Sequence, residues 1–407
     1  MPGALSHIRV LDLTRILAGP WCTQILADLG AEVIKIERPG GGDDTRSWGP
    51  PYLKDTDGND TRESAYYLSC NRGKKSVALD VSTHEGQDIV RNLASQSDLL
   101  IENYKVGGLR QYGLDYESLK AVNPRLIYCS ITGFGQTGPY ASNAGYDFII
   151  QAMGGMMSIT GERDDLPGGG PQKVGVAVSD LMTGMYATVA LLAALAHRER
   201  TGEGQYIDMA LLDSEVAMVA NLGSNYLISG KAPSRMGNAH QNIVPYQSFA
   251  TADGHMILAV GNDNQFSKFC SVAGRPELAQ DPRFATNPGR VRNRPILVPI
   301  VAEIMCTRST RQWLEALEPA GVPVGPINNL AQVFEDPQVQ ARGMKVEAPH
   351  PLAGTVPMVA SPMKLSATPV EHRTAPPTHG QHTDEILTAL LGLTEQQIAR
   401  LREQGVV

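Results

Sequence analysis

The residue whose type and position most clearly suggest covalent chemistry is Asp180, in the segment KVGVAVSDLMTGMYA (173–187). The apolar segment LMTGMYATVALLAALAHRER (181–200) follows it and predicts a long core helix. An aspartate in this position typically caps the helix N-terminus, which is a structural role. The positive helix end would also keep the carboxylate ionised and supply backbone N–H groups for an oxyanion, so capping and catalysis are compatible.

Basic residues cluster near the ends of predicted strands. Arg38 precedes PGGGDD (39–44), and Arg72, Lys74 and Lys75 stand just before another strand. Guanidinium and ammonium groups suit phosphate oxygens, so the cluster is consistent with a phosphorylated adenosine. From spacing alone, solvated charges at strand ends are the simpler interpretation.

The elements that must position these residues alternate between strand and helix. Strands are predicted at IRVLDL (8–13), in the segment ending at Glu37, at SVALDV (76–81), at LLIENY (99–104) and at RLIYCSITGFG (125–135). Amphipathic helices separate them, one beginning with a capping box of Ser82 and Glu85. The pattern predicts an α/β fold with a Rossmann-like parallel sheet, whose ligands bind beyond the carboxyl ends of the strands. The loop TRILAGP (14–20) lacks GxGxxG, so an NAD-type clamp is not expected.

Composition narrows the possible partners. The net charge of −7 and the absence of long basic runs argue against nucleic acid. The five cysteines are scattered without metal-ligand spacing, so no metal is expected. The N-terminus has no secretory pattern, and Thr183, Gly184 and Thr188 interrupt the apolar helix. We therefore expect a cytoplasmic protein that binds no membrane.

Six segments along the chain carry a resemblance to a known family. They are VLDLTRILAGPWCTQILADLGAEVIKIERPGGGDDTR (10–46), NRGKKSVALD (71–80), IENYKVGGLRQYGLDYESL (101–119), ITGFGQTGP (131–139), SDLMTGMYA (179–187) and ERTGEGQYIDMALLDS (199–214). In this order and spacing the chain resembles, almost end to end, the class III CoA-transferases, the group of formyl-CoA transferase and the carnitine CoA-transferases.

The resemblance implies a set of site residues. It implies that Asp180 is the nucleophile and that the adenosine and phosphate contacts are Arg38, Lys75 and Arg110. The implied pantetheine contacts are Ile16, Asn103 and Tyr104. Two further positions near the active site are Tyr146 and Asp147. CoA itself acts as a co-substrate, and no other cofactor is implied.

The resemblance also implies an interlocked homodimer of two-domain chains with both termini in the large domain. We assign residues 1–200 and 330–407 to the large Rossmann-like domain and 225–325 to a smaller α+β domain. Residues 201–224 and 326–329 are the expected linkers. Within the small domain, YQSFATADGHMILAVGN (246–262) predicts a hairpin that turns at Asp253 and Gly254.

A carboxylate nucleophile suits CoA transfer between acids. Attack on a thioester gives a mixed anhydride, and the released thiolate converts it into an aspartyl-CoA thioester. Every intermediate stays activated, whereas a serine ester would be too stable to return its acyl group to CoA.

The acceptor acid depends on residues outside the shared motifs. MGNAHQNIVPY (236–246) stands where formyl-CoA transferase has a glycine-rich loop, which argues against formyl and oxalate specificity. His240, Gln241 and Asn242 thereby become candidate acceptor contacts. Arg15 or Arg235 could bind a second carboxylate, so we expect a dicarboxylate acceptor with succinyl-CoA as donor. A structural ion pair is the alternative role for Arg15.

Two other functions stay open. The α-methylacyl-CoA racemases share the fold but need a His and Asp acid/base pair, and the place of that His is taken by Tyr146, a poor base at neutral pH. A CoA-binding protein without turnover would bind CoA but exchange no acyl groups, and the presence of Asp180 argues against it.

Overall fold

The structure is a computed structural model that describes residues 2–372 and 374–407. Its strands are β1 Arg9–Leu13, β2 Glu32–Glu37, β3 Tyr52–Lys54, β4 Asp60–Ser64, β5 Lys74–Ala78, β6 Leu99–Glu102, β7 Ile127–Thr132, β8 Tyr206–Ala210, β9 Tyr246–Ala250, β10 His255–Ala259, β11 Val324–Pro326, β12 Lys345–His350 and β13 Gly354–Val359. Its helices are α1 Ala18–Asp28, α2 Ala65–Ser69, α3 His84–Ser95, α4 Tyr116–Val122, α5 Asp147–Met153, α6 Met156–Ile159, α7 Val178–Thr201, α8 Leu211–Met218, α9 Ala220–Ser229, α10 Asp263–Val272, α11 Glu277–Gln280, α12 Asn287–Arg292, α13 Arg294–Met305, α14 Thr310–Leu317, α15 Leu330–Glu335, α16 Pro337–Ala341, α17 Thr383–Leu391 and α18 Glu395–Glu403. Two 3₁₀ turns lie at Asp44–Ser47 and Arg110–Tyr112.

The chain divides into two compact units. The first contains the residues up to Met156, Val174–Ile228 and those from Pro337 onward; the second contains Met157–Lys173 and Ser229–Asp336. Residues 157–173, which are predicted to belong to the large domain, cluster with the second unit. Hydrogen bonds hold them there, since the Gly237 N–H donates to the Gly161 carbonyl at 3.1 Å and Arg235 donates to the Ser158 carbonyl at 3.2 Å.

The first unit is built on a six-stranded sheet, as its strand pattern predicts. The strand order is β5-β2-β1-β6-β7-β8, and every neighbouring pair is parallel. From β1 the chain continues to β2 on one side of the sheet, and from β6 it continues to β7 on the other side. The loops that follow these two strands therefore diverge, and this point of a parallel sheet is the usual place for a ligand.

Helices α1 and α7 pack together on one face of the sheet. Helix α7 packs on α1, and a Cβ at Gly184 would come within 2.6 Å of the Ala18 carbonyl oxygen, so glycine permits the close approach. Within the described part of the chain, α7 is the one helix that is long and apolar enough to cross a membrane. Half of its most apolar window is buried, as in the core helix of a globular protein.

Helix α3 begins differently from the prediction. Its N-cap is Thr83, whose hydroxyl accepts the Gly86 N–H at 3.0 Å. The Ser82 hydroxyl instead donates to Asp80 at 2.7 Å. The predicted capping box of Ser82 and Glu85 is therefore wrong, since the cap lies one residue later and Gly86 has no side chain to complete a box.

The second unit has its own core beneath a three-stranded antiparallel sheet of order β11-β10-β9. Phe266, Phe269 and Trp313 are fully buried in it. Strands β9 and β10 form the predicted hairpin, in which the Thr251 N–H closes the turn on the Gly254 carbonyl at 2.9 Å.

Candidate active site

A cavity of about 200 Å³ opens between the loops that follow β1 and β6, at the carboxyl edge of the large sheet. Its walls are Arg15–Ala18, Asn103–Val106, the end of β7 and the segment 141–146, and Asp180 and Leu211 complete the lining. The sequence pattern predicts a site at this edge. The structure brings six of the predicted site residues into one pocket, namely Arg15, Ile16, Asn103, Tyr104, Tyr146 and Asp180. Asp147 lies beside it and contacts the Asp180 backbone.

Asp180 lies inside the first turn of α7 and does not cap it. The N-cap residue is Ala177, which has no capping side chain. Asp147 caps the helix instead, since its Oδ1 accepts the N–H of Ser179 at 2.8 Å and that of Asp180 at 3.4 Å. The predicted capping role of Asp180 is wrong, and its carboxylate is left available for the pocket.

The carboxyl group of Asp180 is buried and unpartnered. Its residue is 9% exposed, and its side chain makes no hydrogen bond within the described residues. Burial, together with the nearby charge of Asp147, raises the pKa of Asp180 to about 7. Loss of hydration therefore opposes the helix end, which favours the ionised carboxylate.

A third carboxyl group supports the same helix end. Glu215, on α8, accepts a hydrogen bond from the Ser179 hydroxyl at 2.7 Å, and its other oxygen is buried without a partner. Burial raises the pKa of Glu215, and Asp147 adds to the effect. Sequence reasoning missed Glu215 because nothing local in ALLDSEVAM (210–218) indicates that its side chain reaches α7.

The loop that follows β1 is held in a strained conformation. Ile16 has φ of 72°, a left-handed backbone that β-branched residues rarely adopt. Its N–H donates to the Asp43 carboxylate at 3.3 Å. Asn103 clamps the preceding residue from both sides, accepting the Arg15 N–H at 2.9 Å and donating to the Arg15 carbonyl at 2.7 Å. Both polar atoms of the Asn103 side chain thus shape the loop.

Comparison with known proteins identifies the family. The profile of CoA-transferase family III matches residues 5–383. The chain belongs to this family. It is 52% identical over 386 residues to a succinate–glutarate CoA-transferase of Agrobacterium fabrum, with 95% of both chains covered. It is also 44% identical over 403 residues to the human succinyl-CoA:glutarate CoA-transferase, with 99% of this chain and 90% of the relative covered.

A solved structure agrees with the fold. A CaiB/BaiF family protein from Brucella suis superposes with a TM-score of 0.84 at 50% identity, with 96% of this chain and all of that chain covered. The predicted enzyme class is confirmed: the chain is an acyl-CoA:carboxylate CoA-transferase. Its central parallel sheet and α/β class are confirmed as well.

Three of the basic residues considered for CoA phosphates lie elsewhere in this CoA-transferase. Lys74 is fully buried and pairs with Asp12 at 3.2 Å, while Arg72 is buried against Asp28 at 2.5 Å. Lys75 stands near the start of β5, at the amino edge of the sheet, where it pairs with Glu32 and Glu385. These partners give Arg72 and Lys74 structural roles, and Lys75 lies at the sheet edge opposite to the pocket.

The remaining candidates differ in their availability. Arg38 is 62% exposed and contacts Asp44 at 3.0 Å, and Arg110 is exposed in the 3₁₀ turn beyond β6. Tyr146 is 61% exposed at the pocket wall.

His240, Gln241 and Asn242 belong to the second unit and do not line this pocket. Arg294 donates to the His240 and Gln241 carbonyls at 2.7 and 3.0 Å, which fixes that loop.

Proposed function

We propose that Asp180 carries the acyl group during CoA transfer, with succinyl-CoA as donor and a dicarboxylate such as glutarate as acceptor. The observation that carries the proposal is the unpartnered, buried carboxyl group of Asp180 at the pocket between β1 and β6. A carboxylate without hydrogen bonds or hydration is a stronger nucleophile than a solvated one. The names of the Agrobacterium and human relatives support the two substrates.

The donor half-reaction begins with the ionised form of Asp180. Its oxygen attacks the thioester carbonyl, the C–S bond breaks, and a mixed anhydride and CoA thiolate result. The thiolate then attacks the Asp180 carbonyl carbon, the free donor acid leaves, and an aspartyl-CoA thioester remains. No proton has to move in either step.

The acceptor half-reaction repeats these steps in reverse. The acceptor carboxylate attacks the aspartyl-CoA carbonyl and expels the thiolate. The acceptor and Asp180 are then joined in a new mixed anhydride. The thiolate next attacks the acceptor's acyl carbon, which yields the new CoA ester and frees Asp180. One activated bond is present at every stage, so the exchange is nearly thermoneutral.

The racemase alternative lacks the base that it needs. The pocket lining contains no histidine among the residues that the structure describes. Tyr146 occupies the wall position expected for that base, and a phenol removes a carbon-bound proton poorly at neutral pH.

The expected homodimer has a candidate surface. Leu227 and Ile228, at the end of α9, are 82% and 88% exposed, and Val189 of α7 is 60% exposed. Exposed apolar side chains of this kind favour association with a second chain. An interlocked arrangement and a cytoplasmic location stay predictions.

The test is to trap the acyl carrier. Enzyme incubated with succinyl-CoA and then hydroxylamine should give a hydroxamate on the peptide that contains Asp180, detected by mass spectrometry. Asp180→Ala should abolish both the adduct and the exchange of labelled acid into CoA ester. Asp213→Ala, which removes an exposed carboxylate from neighbouring α8, is the matched control and should retain both. Full exchange by Asp180→Ala would end the proposal.

A further inference from the structure

We propose that Arg15 selects dicarboxylate acyl groups by binding the carboxylate that is distal to the reacting one. The inference rests on the proposed function. Arg15 is the arginine of the described pocket lining, which it shares with Asp180. Because both residues line one cavity, a diacid whose reacting end lies at Asp180 could reach Arg15 with its other end.

The guanidinium of Arg15 has an uncommitted edge. Its Nη1 is bound to Asp44 at 2.9 Å. Its Nε is buried and has no hydrogen-bond partner, and Nη2 donates none to the residues that the structure describes. Because Nε has almost no accessible surface, Nη2 is the nitrogen whose N–H groups a substrate carboxylate can reach.

The local charge also favours an anion. Asp44 gives one oxygen to Arg15 and the other to Arg38, at 2.9 and 3.0 Å. Two cations thus share one carboxylate, and the trio has a net charge of +1. Lys105, at the pocket rim, adds a further positive charge.

The position of Arg15 is fixed before any ligand arrives. Asn103 holds its backbone at both the N–H and the carbonyl, and the Tyr104 ring lies 5.7 Å from the guanidinium carbon. A guanidinium that is already oriented loses little conformational entropy on binding. This arrangement suits discrimination between a carboxylate and a methyl group, because a methyl group would leave the guanidinium without its partner.

Arg235, the other arginine considered for this role, is committed elsewhere. Its Nη1 donates to the Ser158 carbonyl at 3.2 Å, and its Nη2 is bound to Asp164. Both terminal nitrogens are therefore in use inside the second unit. Unlike Arg15, Arg235 therefore has no terminal nitrogen without a partner.

The competing role for Arg15 is recognition of a CoA phosphate. The two roles predict different losses. A residue that binds the distal carboxylate affects diacids alone, whereas a residue that binds CoA affects every CoA ester equally.

The experiment compares identity exchange of labelled acid with its own CoA ester, in the full-length enzyme. Glutarate with glutaryl-CoA is set against valerate with valeryl-CoA, which differ by a distal carboxylate in place of a methyl group. For Arg15→Gln we expect kcat/KM for glutarate exchange to fall about 10- to 100-fold, the range of charge-assisted hydrogen bonds, while valerate exchange is unchanged or faster. Arg15→Lys should retain part of the glutarate preference. Arg91→Gln, which removes one cation from α3, is the matched control for charge and should keep both rates.

Three outcomes would overturn the inference. These are an equal loss of glutarate and valerate exchange in Arg15→Gln, a weaker inhibition by free CoA in that variant, and an unchanged glutarate preference. Failure of wild-type enzyme to exchange glutarate would instead contradict the proposed substrate. Circular dichroism and the melting temperature of each variant separate misfolding from a specific loss.

Discussion

Asp147 caps the helix that carries Asp180 and at the same time holds a negative charge close to it. Its Oδ1 accepts the Ser179 N–H at 2.8 Å and lies 3.4 Å from the Asp180 nitrogen, while its Oδ2 accepts from Gln151 at 2.8 Å. One carboxylate thereby positions the proposed nucleophile and makes it more basic. Capping by a neighbouring helix leaves both oxygens of Asp180 free of backbone contacts.

The first prediction concerns the pH dependence of exchange. The pKa of Asp180 is raised to about 7 and the reaction needs its ionised form, so kcat/KM should rise with pH through about 7 and then level off. Asp147→Asn keeps an oxygen for the cap but removes the charge, and the midpoint should move to lower pH. A midpoint that stays unchanged in Asp147→Asn would show that burial alone sets the pKa.

The second prediction concerns stability. The folded pKa of Asp180, about 7, is above its ordinary value of 3.8, so the unfolded chain loses this proton first as pH rises. Unfolding thus becomes easier between about pH 4 and 7, by an amount on the order of 4 kcal/mol at most. Asp180→Asn removes the penalty. Its melting temperature should exceed that of the wild type at pH 8, with a smaller difference at pH 5.

Urea unfolding at the two pH values checks this second prediction. The gain in free energy of unfolding for Asp180→Asn should grow with pH and reach a plateau above about pH 7. Asp213→Asn, an exposed carboxylate on α8, should show no such trend. An Asp180→Asn protein that is less stable than wild type at pH 8 would contradict the sign.

The sequence predicted the sheet well because its signals are local. Buried strands and amphipathic helices are encoded in the hydrophobic period of their own residues, and Gly30 and Gly392 end helices through their own backbone freedom, with φ of 102° and 67°. The position of Asp180 at the start of α7 follows from the same kind of pattern. The identity of the side chains around Asp180 does not follow from any local pattern.

Long-range partners explain what the sequence could not predict. Asp147 reaches the α7 terminus from 32 residues away, and Lys75 finds Glu385 at a separation of 310 residues. Neither pairing leaves a trace in local spacing. A basic residue near a strand end looks the same in sequence whether it faces a phosphate or a buried carboxylate, as Lys74 and Asp12 show.

The third prediction separates two cations that the resemblance assigned to CoA. Arg38 is exposed at the carboxyl edge of β2, whereas Lys75 lies near the amino end of β5 with Glu32 and Glu385 at 3.0 and 2.8 Å. Arg38→Ala should raise KM for succinyl-CoA about tenfold through loss of a charge-assisted contact. Lys75→Ala should leave KM within about twofold, the scale of error in such assays, and lower stability slightly. A larger KM increase in Lys75→Ala than in Arg38→Ala would contradict the placement of the CoA phosphates.

The fourth prediction concerns the strained loop at Ile16. Its left-handed backbone costs roughly 1–2 kcal/mol for a β-branched residue, and glycine adopts the same conformation without that cost but loses more chain entropy on folding. Ile16→Gly should therefore unfold with nearly the wild-type free energy. Its KM for succinyl-CoA should rise severalfold, because the loop between β1 and α1 is no longer confined to one conformation.

Ile16→Val is the matched control for this loop. Valine keeps the β-branch and the strain, so its kinetics should resemble the wild type. Ile16 also donates its N–H to Asp43, which is itself paired with buried Lys35 at 2.9 Å, and both contacts survive either substitution. Denaturant unfolding together with initial rates at varied succinyl-CoA separates the two effects. If Ile16→Gly loses more than about 2 kcal/mol relative to Ile16→Val, then packing of the isoleucine side chain, and not its backbone conformation, is what the loop requires.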